Sequence, residues 1–157
     1  MLSCVGKLLI SILNKRLTHF VQLNGLLSEN QAGFRRMRST LDRTFVLKAL
    51  IDMFALTKNK LYCAFLDYQR AFDSIWKHAL WYNLINHGIS WEILQVVINV
   101  YNQIQSCVFL DGQIPGFFGS VKGVRQGENL SPLLFSLFLN NLEHFLVDNG
   151  CSKLNCD

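Results

Sequence analysis

Leu61-Tyr-Cys-Ala-Phe65-Leu-Asp67-Tyr-Gln-Arg-Ala-Phe72-Asp73-Ser74 is the stretch on which the fold turns. Residues 61–66 are apolar or aromatic, contain no glycine or proline, and read as a strand. The strand delivers a carboxylate, Asp67, to its end. The chain then turns, and Ser74 reads as the N-cap of a helix running to about Asn86, closed by Gly88.

Outward from this strand the pattern alternates helices with one hairpin. Upstream, Leu9, Ile10, Leu13, Leu17 and Phe20 fall at helical spacing over 6–20. Residues 24–39 are polar, basic and glycine-containing, which predicts an irregular segment. Thr40 caps a second predicted helix over about 41–57, with Phe45, Leu47, Ala49, Leu50, Met53 and Phe54 on its buried side. Downstream, Ser90 caps a helix to about Gln103 whose core face is Ile93, Val96, Val97, Val100 and Tyr101. Two strands follow, over 106–110 and 117–121, with Asp111-Gly112 as a turn signal. Ser131-Pro132 opens a last helix to about Val147. The fold class is α+β, helices packed on a small antiparallel sheet.

Composition sets bounds on function. The chain has 157 residues, half of them apolar and 17% charged, so it is globular. Its net charge is +4. Lys7, Lys15, Arg16, Arg35, Arg36, Arg38 and Arg43 face only Glu29 and Asp42 in residues 1–45, a basic third suited to a polyanion such as nucleic acid, or equally to a solvated surface. The five cysteines form no C-x-x-C pair, and no histidine sits at metal-ligand spacing, so structural zinc is not expected. Their odd number and scatter suit a reduced, intracellular protein, nuclear or cytoplasmic and not secreted. Cys151 and Cys156 would serve as ligands only together with further residues after Asp157. No stretch approaches the roughly 20 apolar residues of a membrane span.

Two constellations carry chemistry. In the first, Asp67 ends an apolar strand, where a carboxylate can hold a divalent ion without being buried unpaired, and Phe72 follows five residues later as a wall for a nucleotide pocket. Taken alone, Asp67 is equally a strand-end residue capping the next helix, and Asp73 reads as such a cap. The second is Gly123-Val-Arg125-Gln126-Gly127-Glu-Asn-Leu-Ser131-Pro132-Leu-Leu-Phe135. Its glycines let backbone approach a ligand closely. Gln126 offers both donor and acceptor, and a helix N-terminus follows.

These constellations resemble motifs A and B of reverse transcriptases of non-LTR retrotransposons, Phe-x-Asp-x-x-x-Ala-Phe-Asp and Gly-x-x-Gln-Gly-x-x-x-Ser-Pro-x-Leu-Phe. Glu29-Asn-Gln31-Ala-Gly33-Phe34-Arg35-Arg-Met-Arg38-Ser39-Thr40 is similar to the Gln-x-Gly-Phe-Arg…Ser-Thr segment of the same family. Three motifs in the family's order extend the resemblance over about residues 2–150. It implies a partial right-hand polymerase, with a fingers-like helical segment over 1–60 and a partial palm over 61–157. It also implies primer extension with dNTPs on an RNA template. Asp67 and the Tyr68 carbonyl would be ligands of catalytic Mg2+, and Phe72 would be the steric gate at the sugar. Arg125, Gln126 and Gly127 would line the incoming nucleotide, and Arg35, Arg36 and Arg38 would lie near template or phosphate. The family reaction uses two metal ions, and two cations beside a triphosphate need several carboxylates. The Asp-Asp pair of motif C does not occur in these 157 residues. The expectation is therefore a polymerase fragment that is inactive alone. A non-catalytic nucleic-acid-binding module and a purely structural protein are the competing readings.

Overall fold

The computed structural model describes residues 4–35, 37–103 and 105–150. The expectations for Arg36, Cys151 and Cys156 fall outside these residues.

Helix α1 (Cys4–Leu23) buries Ile10, Leu13, Leu17 and Val21, a stripe at spacings of three and four. Helix α2 (Thr40–Leu56) opens on a capping box: Ser39 accepts from Leu41 N at 3.1 Å, and Asp42 accepts from Ser39 N at 3.3 Å. The cap is thus Ser39 rather than Thr40. The expected buried side of α2 is corrected as well. None of its residues is buried; Leu47, Leu50 and Phe54 are half-buried, while Phe45, Ala49 and Met53 are exposed. Apolar residues run all round this helix, so periodicity does not choose a face.

Residues 61–67, expected as a strand, carry no strand ladder and are largely exposed. A strand exists only against a partner, and no described segment pairs with this one. Helix α3 (Lys77–Asn86) starts two residues later than expected, with Trp76 rather than Ser74 at the N-cap position. The reason is a long-range contact: Trp76 forms an antiparallel bridge with Lys122, which holds residues 74–76 out of the helix. Helix α4 (Trp91–Asn102) begins after Ser90 and buries Leu94, Val97 and Tyr101.

The hairpin is the expected one, with shorter ladders. β1 (Gln105–Cys107) pairs antiparallel with β2 (Phe117–Gly119), Ser106 opposite Phe118. At its tip Leu110 and Gln113 exchange hydrogen bonds of 3.0 and 2.9 Å around Asp111 and Gly112, both at positive φ. That is the two-residue turn whose twist matches the strands. The expected final helix is split into α5 (Ser131–Leu139) and α6 (Leu142–Asp148). The break falls at Asn140-Asn141. Asn140 Nδ2 donates to Leu26 O at 2.7 Å, and its Oδ1 accepts from Ser28 N at 3.0 Å. Asparagine side chains compete with the helix ladder in this way.

One core joins the two ends of the chain: Ile10, Leu17 and Val21 of α1 belong to the same buried cluster as Leu80 and Leu84 of α3, Leu94 and Val97 of α4, and Leu134 and Leu137 of α5. No described helix is long and apolar enough to cross a membrane.

Candidate functional site

The segment after Asp67 meets the glycine-bracketed loop edge to edge. A turn at Arg70 folds the chain back, with Asp73 N and Ser74 N both donating to Arg70 O at 2.9 Å. Val124 N then donates to Phe72 O at 2.9 Å, and Gly123 N to Ile75 O at 2.8 Å. This backbone seam sets Gln126 beside Asp73. Gln126 Nε2 lies 3.3 Å from each carboxylate oxygen. Asp73 therefore does not cap α3. A sequence reading assigns it to the cap because the contact spans 53 residues of chain.

Phe72, Arg125, Gln126 and Gly127, four of the expected nucleotide-lining residues, surround one open cavity of about 690 Å³, together with Asn14, Glu128, Asn129, Ser131 and Pro132. That volume lies within the ~300–1,000 Å³ usual for small-molecule sites. Phe72 is braced by rings from both flanking motifs, Phe135 at 5.0 Å and Phe34 edge-on at 6.2 Å. Tyr68 reaches the same group, its ring 6.5 Å from Phe135. Asp67 is exposed, lines none of these cavities, and has no hydrogen-bond or ion-pair partner among the described residues.

The basic residues divide by partner. Arg125 Nη1 donates to Glu128 Oε1 at 2.8 Å, so its charge is largely matched. Arg35 donates to Ser28 O at 2.6 Å and Gln31 O at 3.3 Å, with Glu29 3.6 Å away. Arg38 pairs with Glu29. Arg35 and Arg38 thus fold their own loop. Lys122, missed by sequence reasoning although it directly precedes Gly123, has an ammonium without a partner among the described residues. It lines an adjacent cavity of about 420 Å³ with Asp73, Lys77, Arg125 and Gln126.

Beneath the loop lies a buried polar network. Lys77, only 5% exposed, donates to Ser120 O at 2.6 Å and Tyr101 O at 3.4 Å, fastening the hairpin base to the end of α4. Burial, and then the charge of Arg125, hold its pKa below the usual 10.5. The Tyr101 hydroxyl lies 3.1 Å from Ser131 Oγ and donates to Glu128 at 3.3 Å. Burial is the main cause that raises its pKa above the ordinary 10.0. Above that pH the unfolded chain releases a proton that the folded chain keeps, so this phenol makes stability fall as pH rises beyond 10.0. Lys77 acts in the opposite sense, favouring the fold increasingly as pH climbs towards 10.5. Tyr101→Phe should therefore remove part of the alkaline loss. It should also cost about 1–2 kcal/mol at neutral pH through the lost hydrogen bonds. Urea midpoints of both proteins at about pH 7 and about pH 11 test this; an equally steep alkaline loss in the variant contradicts it.

The loop of residues 26–30 is tied to the far end of the second motif. Ser28 Oγ donates to Glu143, and Asn30 Nδ2 donates to the same carboxylate at 2.9 Å. With Asn140 on Leu26 and Ser28, these bonds seat residues 26–30 against α5 and α6.

Residues of the segments around Phe72 and Gln126 thus line one cavity, and Phe34 of the upstream segment packs on Phe72. A family model described as reverse transcriptase (RNA-dependent DNA polymerase) matches residues 1–152, and the chain belongs to that family. It is 27% identical over 147 residues to the retrovirus-related Pol polyprotein from type-1 retrotransposable element R2 of Nasonia vitripennis, covering 89% of this chain and 14% of that protein. It is 28% identical to the probable RNA-directed DNA polymerase from transposon BS of Drosophila melanogaster (90% of this chain, 16% of that protein). The RNA-directed DNA polymerase from mobile element jockey of the same fly is also 28% identical (90% and 15%). The chain thus spans 14–16% of the length of these relatives, and its similarity is to polymerases of non-LTR retrotransposons.

The residues present do not by themselves fit a catalytic metal site. Asp67 stands alone, and no group of three or more His, Cys, Asp or Glu side chains close enough to hold an ion occurs among the described residues.

Proposed function

We propose that this chain forms the fingers–palm junction of an RNA-directed DNA polymerase, the part that receives the incoming dNTP beside an RNA template and a DNA primer. The observation that carries the reading is the seam between residues 72–75 and 123–126. It gathers Phe72, Arg125, Gln126 and Gly127 around one cavity and sets Gln126 on Asp73. Phe72, held by Phe34 and Phe135, is rigid enough to act as a gate against a sugar substituent. Gln126 can turn its amide from Asp73 to a base or sugar edge. Lys122, and Arg125 more weakly because of Glu128, draw phosphate towards the cavities. Asp67 and the Tyr68 carbonyl are proposed as this chain's share of a Mg2+ site, which no cluster of further carboxylates completes among the described residues. No metal-dependent step is derived for this chain alone.

The 157-residue chain by itself is expected to bind nucleotide and template-primer without extending the primer. Gln126→Ala and Phe72→Ala should each weaken dATP binding on the order of tenfold, the effect of one lost hydrogen bond or ring contact. Fluorescence anisotropy with labelled nucleotide reads the binding. A primer-extension assay with Mg2+ or Mn2+ reads the chemistry. Unchanged binding in both variants would place the site elsewhere. Incorporation abolished by Asp67→Ala would show the chain to be catalytically sufficient.

A further inference from the structure

Asn14 lies on α1, outside all three motifs. Its Oδ1 is buried and accepts no hydrogen bond, and the side chain has no partner among the described residues. Buried polar atoms are rarely left unpaired, because the lost hydration is not replaced. Asn14 borders the 690 Å³ cavity and also a smaller, more enclosed cavity of about 230 Å³, while its Oδ1 itself is closed off from solvent. The two cavities share Asn14, Asn129 and Pro132, so they adjoin at these residues.

The smaller cavity is not built for phosphate. Its one cation, Arg35, is committed to Ser28 O, Gln31 O and Glu29. What remains is the amides of Gln22 and Asn129, the Thr18 hydroxyl and the Phe34 ring. Amides beside an aromatic ring suit the neutral part of a nucleotide, its base edge or a ribose hydroxyl. At about 230 Å³ it is below the ~300–1,000 Å³ of a complete ligand site, so it admits one end of a ligand whose remainder occupies the larger cavity.

We infer that Asn14 is a specificity-determining residue whose amide turns into the larger cavity when a nucleotide occupies it, its Oδ1 then accepting a hydrogen bond from an N–H or O–H group of that nucleotide. The inference rests on the nucleotide reading of the larger cavity. It adds a contact from α1 that neither motif supplies, and it explains why a helix of the core keeps an unpaired amide. An unbound protein pays for that amide in stability, so ligand affinity and stability should move in opposite directions when it is removed.

The test compares wild type, Asn14→Leu and Ser136→Ala, each as the full 157-residue chain. Ser136 Oγ is a second buried, unpartnered polar atom, on α5, and serves as the control. Asn14→Leu should raise the melting temperature and weaken binding on the order of tenfold. Ser136→Ala should leave binding within about twofold. Labelled single-stranded RNA and labelled dATP are titrated separately; the arm that weakens tells a strand nucleotide from a free one. Asn14→Leu that melts lower or fails to fold would mean that Asn14 holds the core, which overturns the inference. So would a stable Asn14→Leu with unchanged affinity for both probes. Failure of wild type to bind either probe would overturn the nucleotide reading itself, and this inference with it.

Discussion

Gly123→Ala should lower the unfolding free energy by about 3 kcal/mol, whereas Gly127→Ala, four residues on, should cost only about 1 kcal/mol. Both glycines have positive φ, +86° at Gly123 and +81° at Gly127, so any L side chain meets the same backbone penalty at either. They differ in what surrounds them. A Cβ on Gly123 would lie 2.8 Å from Asp73 O and 2.9 Å from Asp73 Cα, both backbone atoms that no rotamer change can move. A Cβ on Gly127 meets nothing within 4 Å. Alanine at 123 must therefore push the loop off residues 72–75. That strains the hydrogen bonds from Gly123 N and Val124 N and carries Gln126 away from Asp73. Denaturant unfolding at constant slope measures the difference, and nucleotide titration should show binding lost in Gly123→Ala but weakened little in Gly127→Ala. Equal destabilisation by the two substitutions would mean that the seam is not close-packed at Gly123.

The sequence made the local parts of this fold legible and left the long-range ones dark. α1 and α4 follow from helical spacing, but their faces only in part: Leu9 and Val96, expected in the core, are exposed, while Val21 and Leu94 are buried. The hairpin follows from Asp111-Gly112, because only certain residues tolerate positive φ. Pro132 marks the start of α5, because proline is tolerated in the first helical turn. Elements whose state depends on a distant partner were misread. Residues 61–67 have the composition of a strand, but strand formation is a property of two segments. α3 was placed too early because nothing near Ser74 announces that Trp76 will bridge to Lys122. Asn140-Asn141 looks like the interior of a helix until Leu26 and Ser28 arrive to bond with Asn140.

The site divides in the same way. The residue types at 72 and 125–127 were readable as motif positions, and these four line one cavity. Their pairings were not readable. Nothing in the sequence says that Glu128 takes up Arg125, that Glu29 gathers Arg35 and Arg38, or that Asp73 receives Gln126. The first two pairings redirect charges that motif reading assigns to substrate or template, and the third redirects a carboxylate that it assigns to a helix cap. Phe34 and Phe135 were visible as motif members, but their function as braces for Phe72 depends on three segments meeting.

The second large effect concerns the unpaired stretch before Asp67. Tyr62, Phe65 and Leu66 are 85%, 82% and 70% exposed, in a run without proline or charge between Lys60 and Asp67. Six such residues have the composition that pairs with copies of itself, and single charges at the ends are weak gatekeepers. The 157-residue chain should accordingly self-associate as its concentration is raised, and Phe65→Lys should suppress most of that association by placing a charge mid-run. Because Phe65 contributes nothing to the buried cluster, the same substitution should leave unfolding stability within about 0.5 kcal/mol. The two readouts together separate the alternatives. If residues 61–66 instead packed into the core, lysine at 65 would lower stability by several kcal/mol. If association ran through the apolar surface of α2, sedimentation velocity would show Phe65→Lys associating as wild type does, while Phe45→Lys dispersed it. Association relieved at 65 and stability unchanged there is the combination that only an unpartnered strand sequence produces.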